Sequence, residues 1–479
     1  MSSFPSSKPT TTPAALPAQV LHALKAIVGP AHVLTDPEDL LAYGIDGTWV
    51  DRAPQVVVLP ETAEQISAIL TLANAERVVV TPRGSGSGLS GGAVPAVGGI
   101  ALSLARMNRI LELDTGNALA VVQPGVITGE LQAAVERVGL FYPPDPSSLS
   151  VSAIGGNVAE NAGGARCLKY GVTSDYVMGL QVVLPTGEII RTGGRMVKNV
   201  TGYNLRALFT GAEGTLGVVT EITLRLLPKP KYTLTALAVF PRLDAAAEAV
   251  VQIMSTGLIP ASIELLDQVT VQCVEDLLRM GLPTDAEALL LFAVDGNYEQ
   301  IVQAELASIA EVCTTQGAAE VRVAQNAEES AQLWKARRSV SPALARRRPN
   351  KLGEDVSLPR TAVPAMVRSV REIAAQYRLL IPVFGHVGDG NLHPNILCDR
   401  RDPEELQRVR QAAAAIFAEA IRLGGTLSGE HGIGLLKKEF LEQDLGAAQV
   451  EAMRRIKAAL DPNHILNPGK IFPTGQSDW

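Results

Sequence analysis

Two stretches in the second half of the chain carry residue types that could hold a metal ion. The first, residues 379–398, reads LLIPVFGHVGDGNLHPNILC. Asp389-Gly390 is a strong two-residue hairpin signal, and pairing outward from it sets His386 opposite His393. Directly opposed residues have Cβ atoms about 5 Å apart, close enough for two imidazoles to converge on one ion. Strand parity sends Asn395 to the same face as His393. The chain has six histidines, so two landing opposite one another is unusual. The alternative is a pair that only decorates a hairpin. The second stretch, residues 428–434, reads SGEHGIG. Glu430 offers a carboxylate as third ligand, which gives a two-His-one-carboxylate set with open positions for a substrate. Zinc is the first expectation for such nitrogen and oxygen donors, and manganese or iron also fit. Adjacent residues do not easily face one ion, so His431 is left for another role. An ordinary polar loop before a helix is the alternative here.

A third stretch could hold phosphate. Residues 81–92 read TPRGSGSGLSGG, and Gly86, Gly88 and Gly91 satisfy G-x-G-x-x-G. In a Rossmann fold a helix would open at the last glycine. Pro95 and the further glycines Gly92, Gly98 and Gly99 argue against that helix. A loop whose backbone N–H groups line a pyrophosphate fits better, with Ser85, Ser87 and Ser90 adding hydroxyls. A flexible Gly/Ser linker is the bland reading, and the flanking apolar strands weigh against it.

The elements that must position these residues alternate strand and helix. Residues 18–29 carry helical periodicity, and 55–59 and 77–81 read as strands. Thr62, with Gln65 three residues on, marks a helix start, and residues 128–138 form another helix. Residues 178–191 read as a hairpin around Pro185-Thr186-Gly187, and 214–227 alternate strongly. Pro228-Lys229-Pro230 is the expected domain boundary. Alternating strands and Ala-rich helices follow to about residue 380.

Size and composition bound the function. A chain of 479 residues, 47% hydrophobic and 19% charged, is expected to be a soluble enzyme of two or three domains. Its net charge of −7 gives no basic footprint for nucleic acid. No apolar run reaches the length of a membrane span. Cys167, Cys273, Cys313 and Cys398 lie far apart, which excludes an iron–sulfur cluster bound by this chain and fits a reducing cytoplasm. Residues 1–17, rich in Ser, Thr and Pro, are expected to be a disordered lead-in.

Several motifs now stand in a recognisable order: PRGSGSGLSGG, PPDPSS (143–148), IGGNVAENAGG (154–164), KYG (169–171), GAEGTLGVVTEITLRLLPKP (211–230) and LDPNHILNPGKIF (460–472). Over about residues 40–472 the chain resembles the vanillyl-alcohol oxidase superfamily, with its PCMH-type FAD-binding fold. Within it, the chain is similar to the FAD-binding subunit of glycolate oxidase and to FAD-linked D-lactate and D-2-hydroxy-acid dehydrogenases. The resemblance implies an α+β fold. A lead-in and helix span 1–40, and a PCMH-type FAD-binding domain of two α/β subdomains spans 41–228. An α/β cap, the FAD-linked oxidase C-terminal domain, spans 229–479, with 460–472 returning to the flavin.

Carried over residue by residue, the resemblance implies that Arg83, Gly84, Ser85, Gly86, Ser87, Gly88, Leu89 and Ser90 cradle the FAD pyrophosphate. Pro144, Ser148, Gly155, Gly156, Asn157, Gly163 and Gly164 would line the ribityl chain and ring. Val219 would meet the adenosine side and Asn467 would return to the flavin. His386, His393 and Glu430 would be metal ligands, and His431 the catalytic base. Trp334 and Arg337 match the family's pair, which makes Arg337 the carboxylate anchor, with Ser341 one helical turn on and Asn395 nearby. Relatives that carry a lysine two residues before the match of Asp355 differ here, where that position is Gly353 and the nearest lysine is Lys351. Arg346-Arg347-Arg348 reads as a solvated face. No histidine lies between His32 and His386, so FAD is expected to be non-covalent.

The implied reaction is metal-assisted oxidation of a small D-2-hydroxy acid to the 2-oxo acid. Electrons would leave to a quinone or an acceptor protein such as an iron–sulfur partner subunit. The enzyme would be cytoplasmic, reaching the inner membrane only through such a partner. A sugar-lactone type flavoprotein oxidase and a non-catalytic FAD-binding subunit are the rival readings.

Overall fold

The computed structural model describes residues 16–475. Residues 1–15 of the expected lead-in lie outside them.

The first sheet has four strands in the spatial order Val33–Leu34, Val56–Val58, Ile100–Ser103, Val80–Arg83, and the last three are parallel. Parallel neighbours need a crossover, and helix Ala63–Glu76 supplies one. The Thr62 side chain caps it by accepting from the Gln65 N–H, and Ile66, Ile69, Leu70 and Ala73 are buried beneath it. Arg77 ends the helix in a left-handed conformation. The strand read at 77–81 therefore begins later, at Val80. The C-terminal segment extends this sheet. Val80 N–H donates to the Ile465 carbonyl, and Asn467 N–H donates to the Val80 carbonyl.

The second sheet is five-stranded and antiparallel, in the order Ile110–Asp114, Leu119–Val122, Val218–Arg225, Val177–Val183, Ile189–Gly193. Its last two strands are the hairpin expected around residue 186. Helices Thr128–Glu136 and Ile154–Glu160 contribute to its core through Leu131, Val135, Ile154 and Val158.

The third sheet has eight strands and fills the second half of the chain. Glu320–Val323, Tyr232–Phe240, Ala288–Gly296, Ser262–Asp267, Val383–Gly385, Asn391–Cys398 and Asn350–Gly353 follow one another, and Val356–Ser357 also pairs with Asn391–Cys398. Both faces are covered, so its strands read as continuous apolar runs. Ala236, Ala238, Ile263, Leu265, Leu290 and Phe292 face helices Leu243–Ser255, Glu299–Thr315, Val363–Tyr377 and Pro403–Arg422. Leu237, Val239, Leu266, Leu289 and Leu291 face helices Gln268–Leu278, Ala327–Arg338 and Val340–Arg347. No helix among the described residues is long and apolar enough to cross a membrane.

Candidate active site

On that second face the apolar pattern breaks. Glu264 shares the face of Leu266, two residues along the strand. Phe384 pairs with His393, and Gly353 pairs with Asn395, so these residues point the same way. The sheet thus carries a row of polar groups under helices Ala327–Arg338 and Val340–Arg347, which bring Arg337 and Ser341.

The two histidines meet, although not in the register expected. Phe384 is the partner of His393, and Asn391 N–H donates to the His386 carbonyl. A four-residue turn, 387–390, replaces the two-residue one. The register differs by two residues, and an even slip leaves both imidazoles on one face. Their ring centroids lie 5.2 Å apart. His386 Nε2 and His393 Nε2 stand 3.3 and 3.4 Å from the same oxygen, Glu430 Oε1. Three donor atoms of these residues lie within 4.8 Å of one another. Burial pushes the Glu430 carboxyl up, but His386 and His393 outweigh it and hold it well below the usual carboxylate range. The donor set and spacing fit a divalent cation.

Glu430 and His431 point differently, and Asp355 fixes both. Asp355 Oδ2 accepts from Ser428 Oγ at 2.7 Å and from the N–H groups of Gly429, Glu430 and His431 at 2.9, 3.0 and 2.9 Å. Its Oδ1 accepts from Asn391 Nδ2 at 2.6 Å. The carboxyl is fully buried, which opposes its charge, but His431, Lys437 and His393 hold it well below its ordinary value. The His431 ring stacks on His393, with centroids 5.1 Å apart and planes 6° from parallel. Burial lowers its pKa to about 4, so it is neutral near pH 7. His431 Nδ1 is buried without a partner, which leaves Nε2 as the nitrogen open to the cavity.

Glu264 links the His386–His393–Glu430 cluster to Arg337. Its Oε1 is 2.7 Å from His386 Nδ1, and its Oε2 accepts from Arg337 Nε at 2.5 Å. Burial opposes the Glu264 charge, but Arg337 and His386 outweigh it and hold the carboxyl below its ordinary value. A carboxylate behind a ligating histidine fixes its tautomer and raises its basicity. Sequence reading missed both Glu264 and the loop-organising role of Asp355. The available signal was an acid inside SIELLD, set among Ile263, Leu265 and Leu266. Ser341 is not one turn further along the helix of Arg337. That helix ends at Arg338, and Ser341 is the second residue of the next, Val340–Arg347. Both still reach the cavity.

One cavity joins this cluster to the glycine segments. Arg83, Gly84, Ser85, Gly86, Ser87, Gly88 and Leu89 line one part of it. Ser148, Gly155, Gly156, Asn157, Gly163 and Val219 line the middle, and Arg337, Ser341, His393, Asn395, Glu430 and His431 the other end. Ser90, Pro144, Gly164, Asn467 and His386 are outside the wall. Ser90 supports the loop from behind, where its hydroxyl accepts from Gly92 N–H and meets Glu160 Oε1. Asn467 Nδ2 donates to the carbonyls of Gly92 and Glu213. No helix opens at Gly91, as Pro95 foretold. Gly86 has φ +74°, and a Cβ there would strike the Arg83 guanidinium, so the loop requires glycine. At Gly163 a Cβ would lie 2.7 Å from Glu430 Oε2, so the glycine segment presses directly on the Glu430 carboxylate. A cradle of bare backbone leading to a reactive cluster fits FAD.

Comparison with known proteins agrees. The family described as "FAD binding domain" matches residues 54–193, and "FAD linked oxidases, C-terminal domain" matches residues 229–471. The glycolate oxidase subunit GlcD of Bacillus subtilis (strain 168) is 48% identical over 454 residues, 95% of this chain and 96% of that protein. The chain belongs to the FAD-linked oxidase family. D-lactate dehydrogenase of Anaerostipes hadrus is 37% identical over 427 residues, 87% of this chain and 89% of that protein. The structure of p-cresol methylhydroxylase with substrate bound superposes with a TM-score of 0.78 at 20% identity, over 96% of this chain and 97% of that one. Likeness at that identity shows the fold, which is the PCMH-type fold expected from sequence. This FAD-linked oxidase is therefore a flavoprotein oxidoreductase, and the cavity is its candidate active site.

Proposed function

We propose that the protein oxidises a small D-2-hydroxy acid of the glycolate or D-lactate class to the 2-oxo acid. The observation that carries this reading is the meeting of His393, Glu430, His431 and Arg337 at the end of the glycine-lined cavity, with His386 behind them against Glu430 and Glu264. The names of the relatives GlcD and D-lactate dehydrogenase support it.

FAD, held non-covalently along residues 83–90 and the 148–164 segment, supplies a hydride acceptor when bound. A divalent ion, zinc in the first instance, would be held by His386, His393 and Glu430 and would supply positive charge that favours ionisation of a hydroxyl. Arg337 binds the substrate carboxylate. Its Nε is committed to Glu264, which sets the plane of the guanidinium and leaves its other edge for the anion. Asn395 and Ser341 border the same compartment. His431 accepts the α-hydroxyl proton at Nε2, and burial keeps that nitrogen unprotonated beforehand. The stack on His393 holds the ring in place.

The four cysteines are scattered, and electrons would leave to a quinone or to an acceptor protein such as an iron–sulfur partner subunit. Such a partner would also bring a cytoplasmic protein to the inner membrane. The test is anaerobic mixing of the FAD-loaded protein with D- and L-2-hydroxy acids. Bleaching of the flavin by glycolate or D-lactate, and not by L-lactate, is expected. Flavin left oxidised by every 2-hydroxy acid tried would overturn the proposal.

A further inference from the structure

The substrate end of the cavity contains a lysine with no ion-pair partner among the described residues. Arg337 is paired with Glu264, so a carboxylate arriving there meets a nearly neutral couple. Placing a carboxylate in a buried compartment requires a net countercharge. Lys351 lies on strand Asn350–Gly353, on the face it shares with Gly353, and both line the cavity beside Ser341 and Asn395. Its Nζ donates to Ser341 Oγ at 2.8 Å and forms no ion pair among the described residues. Other charged groups reach the cavity: Arg337 and Arg338 from one helix, His393 from the neighbouring strand, Glu430 and His431 from the 428–434 loop, and Arg83, Glu160 and Glu213 from the glycine-lined part. None of them bonds Lys351. Burial alone lowers its pKa to about 8. Gly353 explains how the ammonium fits. A Cβ at 353 would lie 3.1 Å from Asn395 Oδ1 and 3.9 Å from Lys351 Nζ, so any side chain there would grow into the space before the ammonium.

We propose that Lys351, given room by Gly353, is a substrate-binding residue whose ammonium meets the substrate carboxylate, while Arg337 orients it. The inference rests on the 2-hydroxy-acid reading above. It has a pH signature. An anion prefers the ammonium form, so binding holds below about pH 8 and weakens as pH rises through that value.

The experiment titrates FAD-loaded protein with oxalate, a small carboxylate that cannot be oxidised by hydride loss, between pH 6.5 and 9.5. Binding is followed by the change in flavin absorbance. Wild-type Kd is expected to be flat to about pH 8 and then to rise about tenfold per pH unit. Lys351→Met should bind oxalate about 10- to 150-fold more weakly at pH 7, with no inflection near pH 8. Lys351→Arg should bind well and stay flat to pH 9.5, because a guanidinium does not deprotonate there. Wild-type affinity in Lys351→Met overturns the proposal, as does an inflection that persists in Lys351→Arg. The arginine variant alone decides if the methionine variant does not fold. If oxalate behaves as expected and no 2-hydroxy acid bleaches the flavin, the lysine site stands and the proposed reaction falls. If substrates bleach the flavin with wild-type KM in Lys351→Met, the reaction stands and the lysine site falls.

Discussion

The imidazoles of His393 and His431 lie face to face, 6° from parallel, yet only His393 reaches the Glu430 carboxylate within 4 Å. In the proposed metal site His393 would be the ligand, while burial lowers the His431 pKa to about 4 and leaves that ring neutral beside it.

That division predicts different losses. His386→Ala and His393→Ala should each lose metal and flavin reduction together. His431→Ala should keep its metal and lose about 10²- to 10⁴-fold in flavin reduction rate, the range for removing a general base. Elemental analysis paired with stopped-flow bleaching reads both quantities. Stoichiometric metal loss in His431→Ala would assign that ring to the metal site instead.

Glu264→Gln changes one atom and reaches two groups. The amide NH₂ must face either His386 Nδ1 or the Arg337 fork, and one donor then meets another. Metal affinity should fall about 10- to 100-fold, as for other partners of ligating histidines. Substrate KM should rise in the same variant. Metal competition with a chelating dye measures the first, and steady-state kinetics the second. A variant that keeps wild-type metal affinity would remove Glu264 from the metal site's support.

Acid precipitation should release the flavin into the supernatant as intact FAD. Cys167, the cysteine near the site, is half-buried, desolvation pushes its thiol well above its ordinary pKa, and it stands against Gly163. Flavin that stays in the pellet would show a covalent link.

Glu354 is buried, and its pKa is raised to about 7. The unfolded chain releases this proton near pH 4.5, so the folded state is penalised as pH rises from 4.5 to 7, and fully above 7. Glu354→Gln should therefore be close to neutral below pH 4.5 and stabilising by up to about 3 kcal/mol at pH 8. Thermal melting of both proteins from pH 5 to 8 tests the sign. A variant less stable than wild type at pH 8 would show that the charged form has a partner.

Much of the site was legible because its logic is local. The glycine loop, Pro95, the histidine hairpin and the Glu430-His431 pair each carry their meaning within a dozen residues. The hairpin register was misread by two, since Asp389-Gly390 looks like a complete turn while the chain uses Val387–Gly390. The conclusion survived because strand faces repeat every two residues. Glu264 was invisible for a different reason. Its partners Arg337 and His386 lie 73 and 122 positions away, and only the sheet order brings them together. Asp355 likewise acts on a loop more than 70 positions downstream.

The segment that completes the first sheet is made long after the strand it pairs with. Lys470 Nζ donates to the Gly91 carbonyl from 379 positions further on, and Ile465 and Asn467 bond the strand that leads into the glycine loop. A ribosome adding about 5–20 residues per second needs roughly 20–80 s to cover that span. Through that interval the nucleotide cradle exists without the segment that locks it. With FAD held as proposed, flavin capture would wait for synthesis of residues 465–470, and a chain that stalls in the cap would lack a closed flavin site.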